Sequence, residues 1–193
     1  MSRQPDQSIA LKEWAVAIQA LSQGDQILLL RKGGIAEEAK EFQLKENCFY
    51  LFPTYLHQKA ELLKEEFQPI LENIVQQWDQ TSKEIPIQYF AEVVQDIEIQ
   101  DDATLARLYP FHIWTENFAE ARLHWKREKP LHLLIVKVYR LEQTTKILLR
   151  DKYNGCKSWI SLKDEIPQMK ITPVLSEEDF EQRVQLILQS INS

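Results

Sequence analysis

The spacing of apolar positions changes several times along this chain, and each change predicts an element. The last segment is the clearest. Phe180, Val184, Ile187 and Ile191 recur every three or four residues, which makes one face of an amphipathic helix. Ser176 stands ahead of them, followed by Glu177, Glu178 and Asp179. A capping hydroxyl and first-turn acids suit the positive end of a helix dipole. LHLLIVKVYRLE, residues 131–142, is almost continuously apolar and predicts a central strand. KILL at 146–149 is placed to pair with it across a short turn. CFYLF at 48–52 predicts a short aromatic strand ended by Pro53, with Thr54 then placed to cap a helix. Ala60, Leu63, Phe67, Leu71, Ile74 and Trp78 mark a helical face. Pro69 either kinks that helix or opens a second one at the first-turn position that proline tolerates. YFAEVVQDIEI, residues 89–99, predicts a further strand, and Thr115 caps a helix running to about Lys126.

One stretch supports two readings. In EWAVAIQALSQGDQILLLRK, Trp14, Ile18 and Leu21 have helical spacing, yet Trp14, Val16 and Ile18 also alternate with alanines as in a strand. The four-residue loop Ser22–Asp25, which holds Gly24, favours a hairpin. The alternative is a helix closed by Gly24. IAEEAKEFQLKEN is a polar excursion, and Asn154–Gly155 is a turn dipeptide. Strands and helices without regular alternation predict an α+β fold. Its sheet is expected to be mixed and largely antiparallel, open or partly closed into a barrel, with flanking helices and a C-terminal amphipathic helix. A single domain is expected over residues 1–193, with 1–9 a disordered N-terminus. The polar linker at 79–86 is the best internal boundary, but the two halves look too interdependent to stand alone.

Composition narrows the function classes. The formal charge of −6 argues against a fold-wide phosphate-neutralising surface and leaves room only for a local basic face. Cys48 and Cys156 lie in different halves without Cys or His at ligand spacing, so free thiols are expected and no metal site is. The opening MSRQPDQS has no apolar signal-peptide core, and no apolar run approaches the roughly 18 residues of a membrane span. The expected location is cytoplasmic, with no membrane partner.

Four motifs carry candidate chemistry. In LLLRKGGI, two of the chain's four glycines, Gly33 and Gly34, follow Arg31 and Lys32. They form either an anion-binding nest with a guanidinium fork or a tight turn leaving a strand. In FPTYLHQ, Thr54, Tyr55, His57 and Gln58 bring hydroxyl, ring, imidazole and amide groups to one junction. His57 is the candidate general acid or base. In FHIWTENFAEARLHWKREKP, Arg122, His124 and Trp125 interleave cations with an aromatic ring, which suits phosphate and base-stacking contacts or a solvated helix edge. In YNGCKSW, Lys157 stands beside Cys156 and could lower its pKa, although a small buried cysteine beside a turn fits equally. The glutamate-rich AELLKEEF lacks the arginine, register and glycine of a Nudix metal helix. No P-loop and no serine-hydrolase elbow occurs.

Taken together, ALKEWAVAIQAL, LLLRKGGI, FYLFPTYLHQ, FHIWTE, RLHW, PLHLLIVKVYRL and GCKSW resemble an uncharacterised bacterial family known only as a domain of unknown function. The resemblance covers about residues 10–165. Some relatives of that family accompany restriction-endonuclease-type domains, so the resemblance implies a role linked to DNA restriction or modification. It carries over no catalytic residue, and the cofactor stays unknown. Three functions are therefore weighed. The first is a module binding nucleic acid or a nucleotide through Arg31, Lys32, Gly33, Gly34, Thr54, Tyr55, His57, Gln58, Arg122, His124 and Trp125. The second is a regulatory or structural protein-interaction domain. The third is a metal-dependent phosphoester hydrolase using His57.

Overall fold

The computed structural model describes residues 9–32, 44–125, 129–153, 155, 157–162 and 166–193. The fold is α+β, built on a curled, mixed half-barrel. Strand β1 (Ile9–Trp14) leads directly into helix α1 (Ala15–Gln23), then β2 (Leu28–Arg31) and β3 (Cys48–Thr54). Helix α2 (Gln68–Gln77) precedes the long strand β4 (Glu84–Ile99). Helices α3 (Asp102–Arg107) and α4 (Glu116–His124) connect β4 to β5 (Leu131–Leu148). The short strands β6 (Trp159–Ser161) and β7 (Ile171–Pro173) come before α5 (Glu177–Asn192). The sheet runs β2-β5-β4-β3-β1-β6, with β7 beside β5. Among the described strands, only β1 and β3 pair in parallel.

Strand alternation sorts the core into layers. Leu11, Leu29, Phe49, Leu51, Ala91, Leu134 and Val136, from five different strands, meet Ile18 and Leu21 of α1 in one cluster. The residues between them on β2 and β5 (Leu28, Leu30, Leu133 and Ile135) face the helices α3, α4 and α5. A third cluster sets Tyr50, Phe52, Phe90 and Tyr139 under the far end of the β4–β5 ribbon.

The hairpin expected at residues 13–22 is replaced by a strand-to-helix junction. Gly24 ends α1 at φ 76°, with its N–H on the carbonyls of Ala20 and Leu21. A side chain there would be strained, and a Cβ would meet Leu175 Cδ2 at 2.7 Å. Three further expectations change. Pro53 lies within β3 rather than ending it, and Thr54 caps no helix. Its hydroxyl instead donates to the Glu13 carbonyl at 3.0 Å. All of KILL but Leu149 belongs to β5 itself, because the strand runs unbroken to Leu148 and pairs with β4 from Glu84 onward. The linker at 79–86 likewise ends inside β4. Pro69 opens α2 at its first turn, the second of its two predicted roles. The caps fall where expected: Thr115 accepts from Phe118 N, and Ser176 accepts from Asp179 N at 3.1 Å.

Candidate functional site

Arg31 ends β2 two residues beyond Leu29, and Glu13 stands two residues beyond Leu11 on β1. Alternation turns both side chains to the side of the inner cluster. There they meet. Arg31 Nη1 donates to Glu13 Oε2 at 3.0 Å, and Nη2 donates to Ser158 Oγ at 2.7 Å, just ahead of β6. Lys12 N bonds the Ser158 carbonyl at 2.8 Å. β2 and β6 are the two ends of the sheet order, so Arg31 joins one end of the curled sheet to the other. The guanidinium that sequence offered as a ligand fork is 8% exposed and is engaged in closing the half-barrel.

Two more cations are engaged around α4. Lys32, 5% exposed, donates through Nζ to the carbonyl of Leu123 in the last turn of α4. A cation is favourable at that end of a helix dipole. Arg122 donates to the Leu30 carbonyl at 3.3 Å and lies over the Phe118 ring at 5.0 Å. Burial pushes its pKa down to about 10. Arg31 adds to that shift, and Glu13 opposes it. Segments some ninety residues apart thus place two guanidinium groups, Arg31 and Arg122, beside one buried carboxylate, Glu13.

Leu123 belongs also to a surface depression of about 530 Å³, lined by Ile99, Gln100, Asp102, Leu123, His124, Lys129 and Pro130. His124 Nε2 lies 2.8 Å from Asp102 Oδ1, linking α4 to α3. Trp125, the next residue, is 38% exposed.

The other candidates separate into support and periphery. Gln58 accepts from Val16 N at 3.1 Å and donates to the Tyr55 carbonyl at 3.2 Å, so it pins the 54–58 turn to the start of α1. Tyr55 stacks on Trp78 at 5.1 Å, and burial raises its phenol pKa. His57 is exposed in a left-handed conformation, φ 64°. No contact among the described residues joins it to Arg31 or Arg122. Gly33, Gly34 and Cys156 lie outside the described residues. Cys48 has its thiol pKa raised by burial, then by Glu92 and Glu46, which works against nucleophilic use. No cluster of His, Cys, Asp or Glu fit to hold a metal occurs among the described residues.

Sequence reasoning missed His132, whose Nδ1 lies 2.8 Å from Asp96 Oδ1. The signal was there as register. Asp96 pairs with Leu134, two residues from His132, so the acidic alternation of β4 and the lone imidazole of β5 share a face. Glu13 was missed as well, being a single acid at the end of an apolar run.

Comparison with known proteins follows from this fold. A search of curated proteins finds no match. Among solved structures, the chain is similar to the ASCH protein of Zymomonas mobilis at 13% identity and TM-score 0.46. That alignment covers 93% of this chain and 95% of the other. Two mutants of the same protein align at 10% and 11% identity with TM-scores of 0.49 and 0.48. They cover 84% and 82% of this chain and 93% and 92% of theirs. A family model described as Domain of unknown function (DUF1802) matches residues 10–186.

Proposed function

The chain belongs to the DUF1802 family, and we propose that it is a binding module for an anionic ligand of the nucleic-acid or nucleotide class. The ligand is held in the depression between the end of β4, α4 and the start of β5. One observation carries this reading: Lys32 binds the carbonyl of Leu123, a residue that lines the depression. A buried ammonium therefore sits behind the depression, bound to the residue that follows Arg122 on α4. Buried charge is screened less than surface charge. A local positive field can thus persist in a chain whose formal charge is −6. Lys129 and His124 supply polar groups at the depression, and the exposed ring of Trp125 supplies a stacking surface. In this scheme Arg31 is a positioning residue that keeps the barrel closed, while Lys129 touches the ligand.

The test is fluorescence anisotropy with labelled single-stranded RNA, single-stranded DNA and duplex DNA at low and high salt. Binding should weaken with salt on a shallow slope of one or two phosphate contacts. Lys129→Glu should weaken it at least tenfold with the circular dichroism spectrum intact. Absence of binding to every probe at low salt overturns the reading. The link to DNA restriction that the resemblance implies requires duplex DNA to be the preferred probe.

A protein-interaction role is the second reading. It is favoured by a groove of about 380 Å³ in which Pro110, Phe111 and the exposed Leu186 of α5 lie together. Leu186→Glu should abolish such a contact and leave anion binding unchanged.

A further inference from the structure

Resting on the anion-site reading, we infer that the depression takes one nucleotide unit and selects guanine. Its volume of about 530 Å³ falls in the range of small-ligand sites, about 300–1,000 Å³, and is too small for a duplex. Its lining divides by chemistry. Ile99, Leu123 and Pro130 are apolar; Ile99 and Leu123 are buried and form the floor, and half-buried Pro130 offers an edge against which a ring can pack. Gln100, Asp102, His124 and Lys129 are polar.

The Asp102–His124 pair sets the selection. Its side chains are 57% and 40% exposed, so a ligand can reach both. The imidazole Nε2–H donates to Asp102 Oδ1 at 2.8 Å. A carboxylate offers about four lone-pair positions, and His124 occupies one. What Asp102 presents to the depression is acceptor capacity, with no donor of its own. Among the common bases, guanine alone carries two adjacent donors on one edge, N1–H and the N2 amino group, and these match a carboxylate. Adenine and cytosine set an acceptor beside their amino group, which would face the carboxylate lone pairs. Uracil sets its single N–H between two carbonyls. The Gln100 amide can donate to guanine O6, and Lys129 can receive the phosphate as a point charge.

Isothermal titration with GMP, IMP, AMP, CMP, UMP and inorganic phosphate tests this on the native chain. GMP should bind at least tenfold more tightly than AMP, CMP or UMP. IMP, which lacks only the N2 amino group, should fall about tenfold below GMP, because a site built around a donor rejects its analogue. Asp102→Asn should erase the preference and leave weak, equal binding of all nucleotides. Asp101 remains to cap α3 in that variant, through its bond from Thr104 N at 2.8 Å. Lys129→Met should weaken all nucleotides by the same factor. Equal affinity for the four bases, or a GMP preference that survives Asp102→Asn, overturns the guanine assignment and leaves the anion site standing. Failure of every nucleotide and every nucleic-acid probe overturns both.

Discussion

Glu13→Gln keeps the shape and the acceptor that Trp14 N uses at 2.8 Å, but removes the charge and turns an amide NH2 toward Arg31 in place of the Oε2 that accepts from it. Two unit charges about 4 Å apart interact by roughly 4 kcal/mol at an effective dielectric of about 20. Removing one partner of a buried pair typically costs about 3–5 kcal/mol, because the other charge is left uncompensated. We expect a loss of roughly 3–4 kcal/mol in unfolding free energy. Arg122 makes the prediction sharper. Its pKa stands at about 10 through burial and then Arg31, with Glu13 opposing the shift. Against an ordinary value near 12.5, that is a cost of roughly 3 kcal/mol for holding the guanidinium charged in the fold. At neutral pH Arg122 is protonated both folded and unfolded, so the cost is fully present. It is relieved only as pH rises through about 10. Arg122→Met in the native chain should therefore change stability by no more than about 1 kcal/mol. Lost contacts to the Leu30 carbonyl and Phe118 offset the relief. In the Glu13→Gln background the same substitution should stabilise by about 1–3 kcal/mol, since it removes a repulsion that nothing now balances. Urea denaturation followed by tryptophan fluorescence measures all four corners of the cycle. An Arg122→Met effect that is equal in both backgrounds would refute the shared-carboxylate picture.

Three other outcomes are expected. His112 is 3% exposed, and burial, then Lys64, lowers its pKa from 6.5 to about 4. The native state therefore holds fewer protons, and the contribution is complete above pH 6.5. It falls away by up to about 3 kcal/mol as pH drops toward 4. His112→Asn keeps an acceptor for Trp114 N, and its stability should lack that slope between pH 6.5 and 4 when the two curves are subtracted. Gly24→Ala should lower stability by about 2 kcal/mol or more, from the left-handed φ and the 2.7 Å approach to Leu175. Thermal melting reads this, and an unchanged midpoint counts against the crowded junction. His57→Gly should raise stability by about 1 kcal/mol by relieving φ 64°, and a loss instead would mean that the imidazole makes a stabilising contact.

Helix α5 was legible because cap, first-turn acids and apolar stripe all lie within sixteen residues. The α1 region was not, because its alanines fit either period. What decides it is the insertion of β1 between β3 and β6, whose partners lie forty and a hundred and fifty residues away. The length of β5 was hidden by its polar half. Glu142–Lys146 stay extended because β4 supplies a matching ribbon, and no local propensity marks that. In LLLRKGGI, composition could not tell a guanidinium aimed at solvent from one drawn inward. That distinction rests on Glu13, eighteen residues earlier, and Ser158, a hundred and twenty-seven later. Arg122 and His124, two residues apart on one helix, diverge in the same way: one is buried beside Arg31, the other opens on the depression.

The position of β1 also bears on how the polypeptide is made. Synthesis delivers Ile9–Trp14 ahead of the other described strands, yet one neighbour of that strand is Trp159–Ser161, and the Arg31 clasp depends on Ser158. For most of translation the earliest strand therefore waits with one edge unmatched while more than a hundred and forty residues emerge. Truncated chains ending before Ser158 should accordingly bind holdase chaperones, and release should coincide with the appearance of the GCKSW segment outside the ribosome.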